Sequence, residues 1–151
     1  MTTQPGEHEH RIVVGVDGSV PSVAALAWAV RQARLTGAAV EAVIAWEFPI
    51  TYGYPAPVSE VDWEELAERA VSDAIGQVRS SAGQVEIHTK VVEGNAAQAL
   101  MDASAGADLL VVGSRGHGGF VEALLGSVGQ HCVHHATCPV VVIRDSVTGS
   151  S

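Results

Sequence analysis

Asp108-Leu-Leu-Val-Val-Gly-Ser-Arg-Gly-His-Gly-Gly119 is a short apolar run that ends in clustered glycines, with Gly126-Ser127 following a few residues later. The run Asp108–Val112 reads as a buried strand, and Val121, Leu124, Leu125, Val128 and Cys132 recur behind it at helical spacing. A strand that runs through glycines into a helix is a physical recipe for holding phosphate. Glycine lets the backbone approach a ligand closely. The unpaired N–H groups of a helix start point outward and carry partial positive charge.

Working outward, strand and helix signals alternate along the chain. Arg11-Ile-Val-Val-Gly-Val16 is a β-branched run closed by Asp17-Gly-Ser19. Val23, Leu26, Ala27 and Val30 then follow helical spacing, with Pro21 near the start and Gly37 past the end. Ala39–Trp46 is a second strand. Residues 47–59 hold Pro49, Gly53, Pro55 and Pro57 and form a loop long enough for a lid or flap. Ser59 opens a helix whose apolar stripe is Trp63, Leu66, Ala67, Ala70, Val71, Ala74, Ile75 and Val78. Val85, Ile87, Thr89 and Val91 alternate with polar residues, as in a half-exposed or edge strand. Asn95 caps a short helix through Ala96, Leu100 and Met101, and Pro139–Arg144 is the last strand.

This β-α-β-α-β-α-β-α-β order implies a single doubly wound, Rossmann-like α/β domain over residues 11–144. The expected sheet has five parallel strands in the order 3-2-1-4-5, with helices on both faces. Residues 1–10 are read as a disordered N-terminal tail and 145–151 as a loose C-terminal tail. In that order the first and fourth strands are neighbours, and the switch point coincides with Gly15–Ser19 and Gly113–Gly119.

Composition narrows the partners. The chain has 151 residues and a formal net charge of −9, which argues against nucleic acid. No apolar run approaches the roughly 18–20 residues of a membrane span, and the polar start lacks a signal core, so a cytoplasmic location is expected. Two cysteines, Cys132 and Cys138, are too few for a disulfide framework. Lys90 is the only lysine, so an anion site must rely on backbone N–H groups and an arginine.

Known phosphate and hydrolase signatures fail here. A Walker loop needs lysine where Gly119 stands, and the dinucleotide pattern from Gly116 meets Val121 instead of glycine. A serine-hydrolase elbow at Ser114 has Val112 in place of its first glycine. What remains is Gly113-x2-Gly116-x9-Gly126-Ser127, together with Val14-Gly-Val-Asp17-Gly-Ser and Cys138-Pro-Val-Val-Val-Ile-Arg144. These residues resemble the nucleotide-binding branch of the universal stress protein family.

The resemblance implies an ATP-binding domain that pairs with a second copy through its last strand. By motif, Asp17 would meet the nucleoside, at its ribose hydroxyls, and the backbone at Ala45 the adenine. Gly113, Arg115, Gly116, Gly126, Ser127 and Val128 would surround the phosphates, and Gly15 and Gly94 would face the same crevice. AMP or cyclic AMP is an alternative ligand, and Mg2+ would accompany the nucleotide. The residue chemistry agrees: a carboxylate accepts two hydrogen bonds from a diol, and arginine grips phosphate oxygens bidentately.

The expected role is a homodimeric stress-response sensor or switch and at most a slow ATPase, since the site lacks a Walker lysine and an obvious base. Two alternatives stand beside it: a hydrolase using Ser114 and His117, and a dimerisation module with a vestigial site. Asp17 could also simply cap the following helix. His131, Cys132, His134, His135 and Cys138 match no standard zinc spacing, so no metal site is expected.

Overall fold

The structure is a computed structural model that describes residues 10–47, 50–51, 54–55, 62–114 and 126–144. The central sheet contains β1 (Arg11–Gly15), β2 (Ala39–Trp46), β5 (Ile87–Glu93), β6 (Leu109–Gly113) and β7 (Val140–Ile143). The order across it is β5-β2-β1-β6-β7, which is 3-2-1-4-5 for the sheet strands in chain order, and every pairing is parallel. Two further strands, β3 (Ile50–Thr51) and β4 (Tyr54–Pro55), pair antiparallel with each other, so the expected loop contains a short ladder.

The sheet is apolar because both of its faces are covered. Ile12, Val14, Val40, Ala42 and Ile44 pack on one face beneath α1 (Val20–Thr36) and α2 (Trp63–Ala82). Val13, Val43, Leu110 and Val112 pack on the other beneath α3 (Ala96–Ser104) and α4 (Ser127–His135). Adjacent residues of β1 thus serve opposite layers, as the two-residue strand period requires. The edge expected of the third strand is found: β5 ends the sheet, and its residues are exposed or half-buried.

Two details depart from the sequence pattern. Helix α2 begins at Trp63, capped by Asp62, whose carboxylate accepts the Glu65 N–H at 3.0 Å. Ser59 lies outside the described residues. The aspartate cap satisfies one of the helix's orphan N–H donors directly, and its charge suits the positive start of the helix. Helix α1 buries Ser22, Ala25, Leu26, Ala29, Val30 and Ala33, with Val23 and Ala27 only partly covered. Small residues let the helix lie close on the sheet, which the larger apolar side chains alone do not reveal.

Candidate nucleotide site at the carboxyl end of the sheet

The strand order reverses between β1 and β6, with later strands added on opposite sides of β1, and open α/β sheets bind ligands at that point, beyond the carboxyl ends of the strands. On the β1 side the chain turns through Asp17-Gly18-Ser19. Gly18 has φ +83°, a left-handed conformation that favours glycine. The turn returns Ser19 to Asp17, whose Oδ1 accepts the Ser19 N–H at 2.9 Å and the Ser19 hydroxyl at 2.5 Å. The Asp17 N–H in turn donates to Ser22 Oγ at 3.2 Å. Ser19, and not Asp17, caps α1, accepting the Ser22 N–H at 3.3 Å. Asp17 is half-buried and orients that cap. The sequence reading named Asp17 but missed Gly18, Ser19 and Ser22 as its supports; a Gly-Ser pair directly before a Pro-led helix was the available signal.

On the β6 side, the Ser114 N–H donates to Ile143 O at 2.8 Å, and Ser114 O accepts the Gly126 N–H at 2.6 Å. The second bond holds the start of α4 against the end of β6. Gly126 is the N-cap of α4 and gives it no side-chain bond. The Gln130 N–H closes the first helical bond to Gly126 O at 2.9 Å, so the N–H groups of Ser127, Val128 and Gly129 precede the helical ladder. Ser127 is exposed, whereas the Val128 side chain packs on the core and leaves its backbone as the contribution to the site.

Gly15 and Gly113 have packing reasons of their own. A Cβ on Gly113 would lie 2.9 Å from the backbone C and O of Pro21, so the glycine lets β6 approach the start of α1. A Cβ on Gly15 would meet Leu100 Cδ1 at 2.9 Å. Gly94 differs: its φ of +140° favours glycine, and open space lies where a Cβ would stand. Its N–H donates to Trp46 O at 2.8 Å.

Ala45 is placed by ladder alternation. Val43 O accepts from Val16 N–H on the β1 side, and Trp46 O accepts from Gly94 on the β5 side. The two-residue period therefore turns the Ala45 N–H and C=O toward β1, beyond the last β1–β2 ladder pair, Gly15↔Val43. Both backbone groups border the space where β1 has ended. Arg115, Gly116 and His117 lie outside the described residues, as do Val121, Leu124 and Leu125.

The His/Cys group separates into two layers. Cys132 is fully buried, and burial, reinforced by neighbouring Cys138, pushes its thiol up to about 11. Burial also raises the Cys138 thiol, against the lowering effects of a hydrogen bond from Ser104 and the charge of Arg11. His131, His134 and His135 face outward. Ser114 is buried, at 5% exposure, so its hydroxyl is not presented as a nucleophile. Among the described residues no helix is long and apolar enough to cross a membrane.

The fold and switch-point geometry define a doubly wound α/β domain of the kind that binds ligands beside a helix N-terminus. A profile of the universal stress protein family matches residues 9–144, and the chain belongs to that family. It is 38% identical to a universal stress protein of Mycolicibacterium smegmatis, over 90% of this chain and 48% of that protein. It is 33% identical to one of Mycobacterium tuberculosis, over 97% of this chain and 49% of that protein. The chain thus spans about half the length of these curated relatives.

Among solved structures, the universal stress protein UspA of Lactobacillus plantarum superposes with a TM-score of 0.72 at 25% identity, covering 91% of this chain and 99% of that one. A universal stress protein in complex with cAMP gives 0.67 at 26% identity, covering 91% and 98%. An Archaeoglobus fulgidus member in complex with dAMP gives 0.64 at 23% identity, covering 89% and 97%, and shares the fold.

Proposed function

We propose that this chain binds an adenine nucleotide, ATP foremost, at the carboxyl end of β1 and β6, and works as a homodimeric sensor or switch. The observation that carries the reading is the start of α4. Gly126 sits at φ −68° and ψ 170°, a backbone any residue adopts, so conformation does not demand glycine there. A missing side chain over uncapped N–H groups suits close approach of phosphate. The cAMP complex of a relative at 26% identity supports an adenine nucleotide as the ligand class.

In this reading Asp17 accepts from the ribose hydroxyls, and the backbone of Ala45 pairs with the adenine edge. Arg115 supplies the positive charge, and Gly113, Gly116, Gly126, Ser127 and Val128 line the phosphates. Gly94 leaves room for the base. Mg2+ would enter with the polyphosphate and neutralise its charge. Hydrolysis is slow at most: the sole lysine, Lys90, is on the edge strand β5 and exposed, away from the glycine motif. Homodimerisation uses β7, an apolar edge strand whose four residues are all half-buried in the single chain.

The test starts from protein as purified: it is denatured, and any released small molecule is identified by mass spectrometry. Calorimetry with ATP, AMP and cyclic AMP then ranks the ligands. We expect adenine nucleotide binding, and a Gly126→Val variant that keeps its circular dichroism but loses affinity by about tenfold or more, the scale of one good charged hydrogen bond. Unchanged affinity in that folded variant sinks the site. A stable dimer that binds none of the three nucleotides favours the dimerisation module.

A further inference from the structure

The outer face of α4 carries histidines that the nucleotide site does not use. His131 and His135 are four residues apart, so the helix stacks them one turn above the other. Their ring centroids lie 4.6 Å apart and their planes are inclined by 42°. Both residues are exposed, and among the described residues neither ring is engaged by a hydrogen bond or ion pair. Their nitrogen lone pairs remain available.

The ring separation has a geometric meaning. Imidazole nitrogen binds zinc at about 2.0–2.1 Å, which puts the metal about 3.2 Å from each ring centre. Ligand angles between about 90° and 110° then place the two centres about 4.5–5.2 Å apart. The 4.6 Å of His131 and His135 falls inside that window before any ion is bound. His134 stands 6.3 Å from His135, at 60°, and the described residues contain no converging group of three metal-ligating side chains.

We propose that His131 and His135 form a surface site for a borderline first-row divalent cation, with water completing the coordination. Imidazole suits Zn2+, Ni2+ and Cu2+, whereas Mg2+ prefers oxygen ligands. The site is therefore chemically separate from any Mg2+ carried by a nucleotide. Bridging one turn to the next, the ion clamps the carboxyl-terminal half of α4. Because it binds the folded helix, it stabilises the fold by mass action.

Calorimetry of the tag-free full chain with ZnCl2, and separately with NiCl2, tests this. One ion per chain and a rise in thermal midpoint are expected. His131→Gln and His135→Gln should each weaken binding by about tenfold or more and abolish the thermal shift, as loss of one of two ligands requires. His134→Gln should behave as the parent, and MgCl2 should give neither effect. Electron paramagnetic resonance of the Cu2+ form should report two bound nitrogens, independent of any variant. Parent-like zinc binding in His131→Gln would show that the ion sits elsewhere. Absence of binding by the parent would leave only an aromatic contact between the rings. Either result overturns the proposal.

Discussion

Arg11, at the amino end of β1, uses its guanidinium to close the bottom of the sheet, whereas Gly15, at the other end of the same strand, offers no side chain at all. Arg11 Nη1 donates to Ala103 O at 2.7 Å and Glu41 Oε1 at 3.2 Å, and Nη2 donates to Ala105 O at 2.8 Å. Those two carbonyls belong to the end of α3, where a cation meets the negative pole of the helix. His10 adds a 2.9 Å contact to Asp108. At the carboxyl end, by contrast, glycines, a serine turn and an uncapped helix start leave the backbone exposed to approach. One end closes its polar groups on a side chain, Arg11; the other leaves the N–H groups at the start of α4 without a side-chain cap. In the proposed reading, the contrast would let a chain with net charge −9 hold an anion, the attraction coming from the N–H dipoles at the start of α4.

The comparison breaks most sharply at Gly113, where the ligand end is packed against backbone and not, as at Gly15, against a leucine side chain. Gly113→Ala brings a methyl against the Pro21 backbone, which cannot rotate away as a side chain would. Overpacking of this kind costs about 3 kcal/mol, at the upper part of its usual range. Urea unfolding should show it. A loss below about 0.5 kcal/mol, the size of a neutral surface change, would mean that the junction is slack and that this glycine serves the ligand instead.

Arg11→Met tests the opposite end. Methionine keeps the length of the stem but loses the bonds to Ala103, Ala105 and Glu41. The side chain is 28% exposed, so water can replace part of what is lost, and about 2 kcal/mol is expected. Nucleotide affinity should be unchanged, because the site lies at the other end of the strand. Weakened binding in a folded Arg11→Met protein would contradict the division of labour between the two ends.

How much of this was legible beforehand depends on which physical signal each feature emits. Strand β2 was readable to the residue, because a buried parallel strand is a largely apolar run, broken here only by Glu41. The edge position of β5 was readable from its alternation. The start of α2 was not: Ser59 and Asp62 are both residue types that cap helices, and the sequence alone does not choose between them. The glycines were the most ambiguous. Gly15, Gly94 and Gly113 look alike as letters, yet one spares a leucine, one adopts a left-handed backbone and one spares a helix backbone. A sequence shows that a side chain is missing, not what occupies its place. Similarly, Asp17 was found through its motif, while its mechanical role became visible only through Ser19.

That last pair gives the smallest and most discriminating effect. Ser19→Ala removes the N-cap of α1, a loss of about 1 kcal/mol. It also removes the hydroxyl that donates to Asp17 Oδ1, while the Ser19 N–H bond to the same oxygen remains. If Asp17 matters only to the helix, the modest drop in stability is the whole effect, and nucleotide affinity measured well below the unfolding midpoint stays at its parent value. If Asp17 also holds the ribose, loosening one of its two orienting bonds should weaken affinity several-fold without changing the ligand ranking. Asn95→Ala, which removes a comparable cap from α3 on the opposite layer, should cost similar stability and leave affinity untouched. A matched fall in affinity for both variants would trace the loss to general loosening of the domain and detach Asp17 from the ligand.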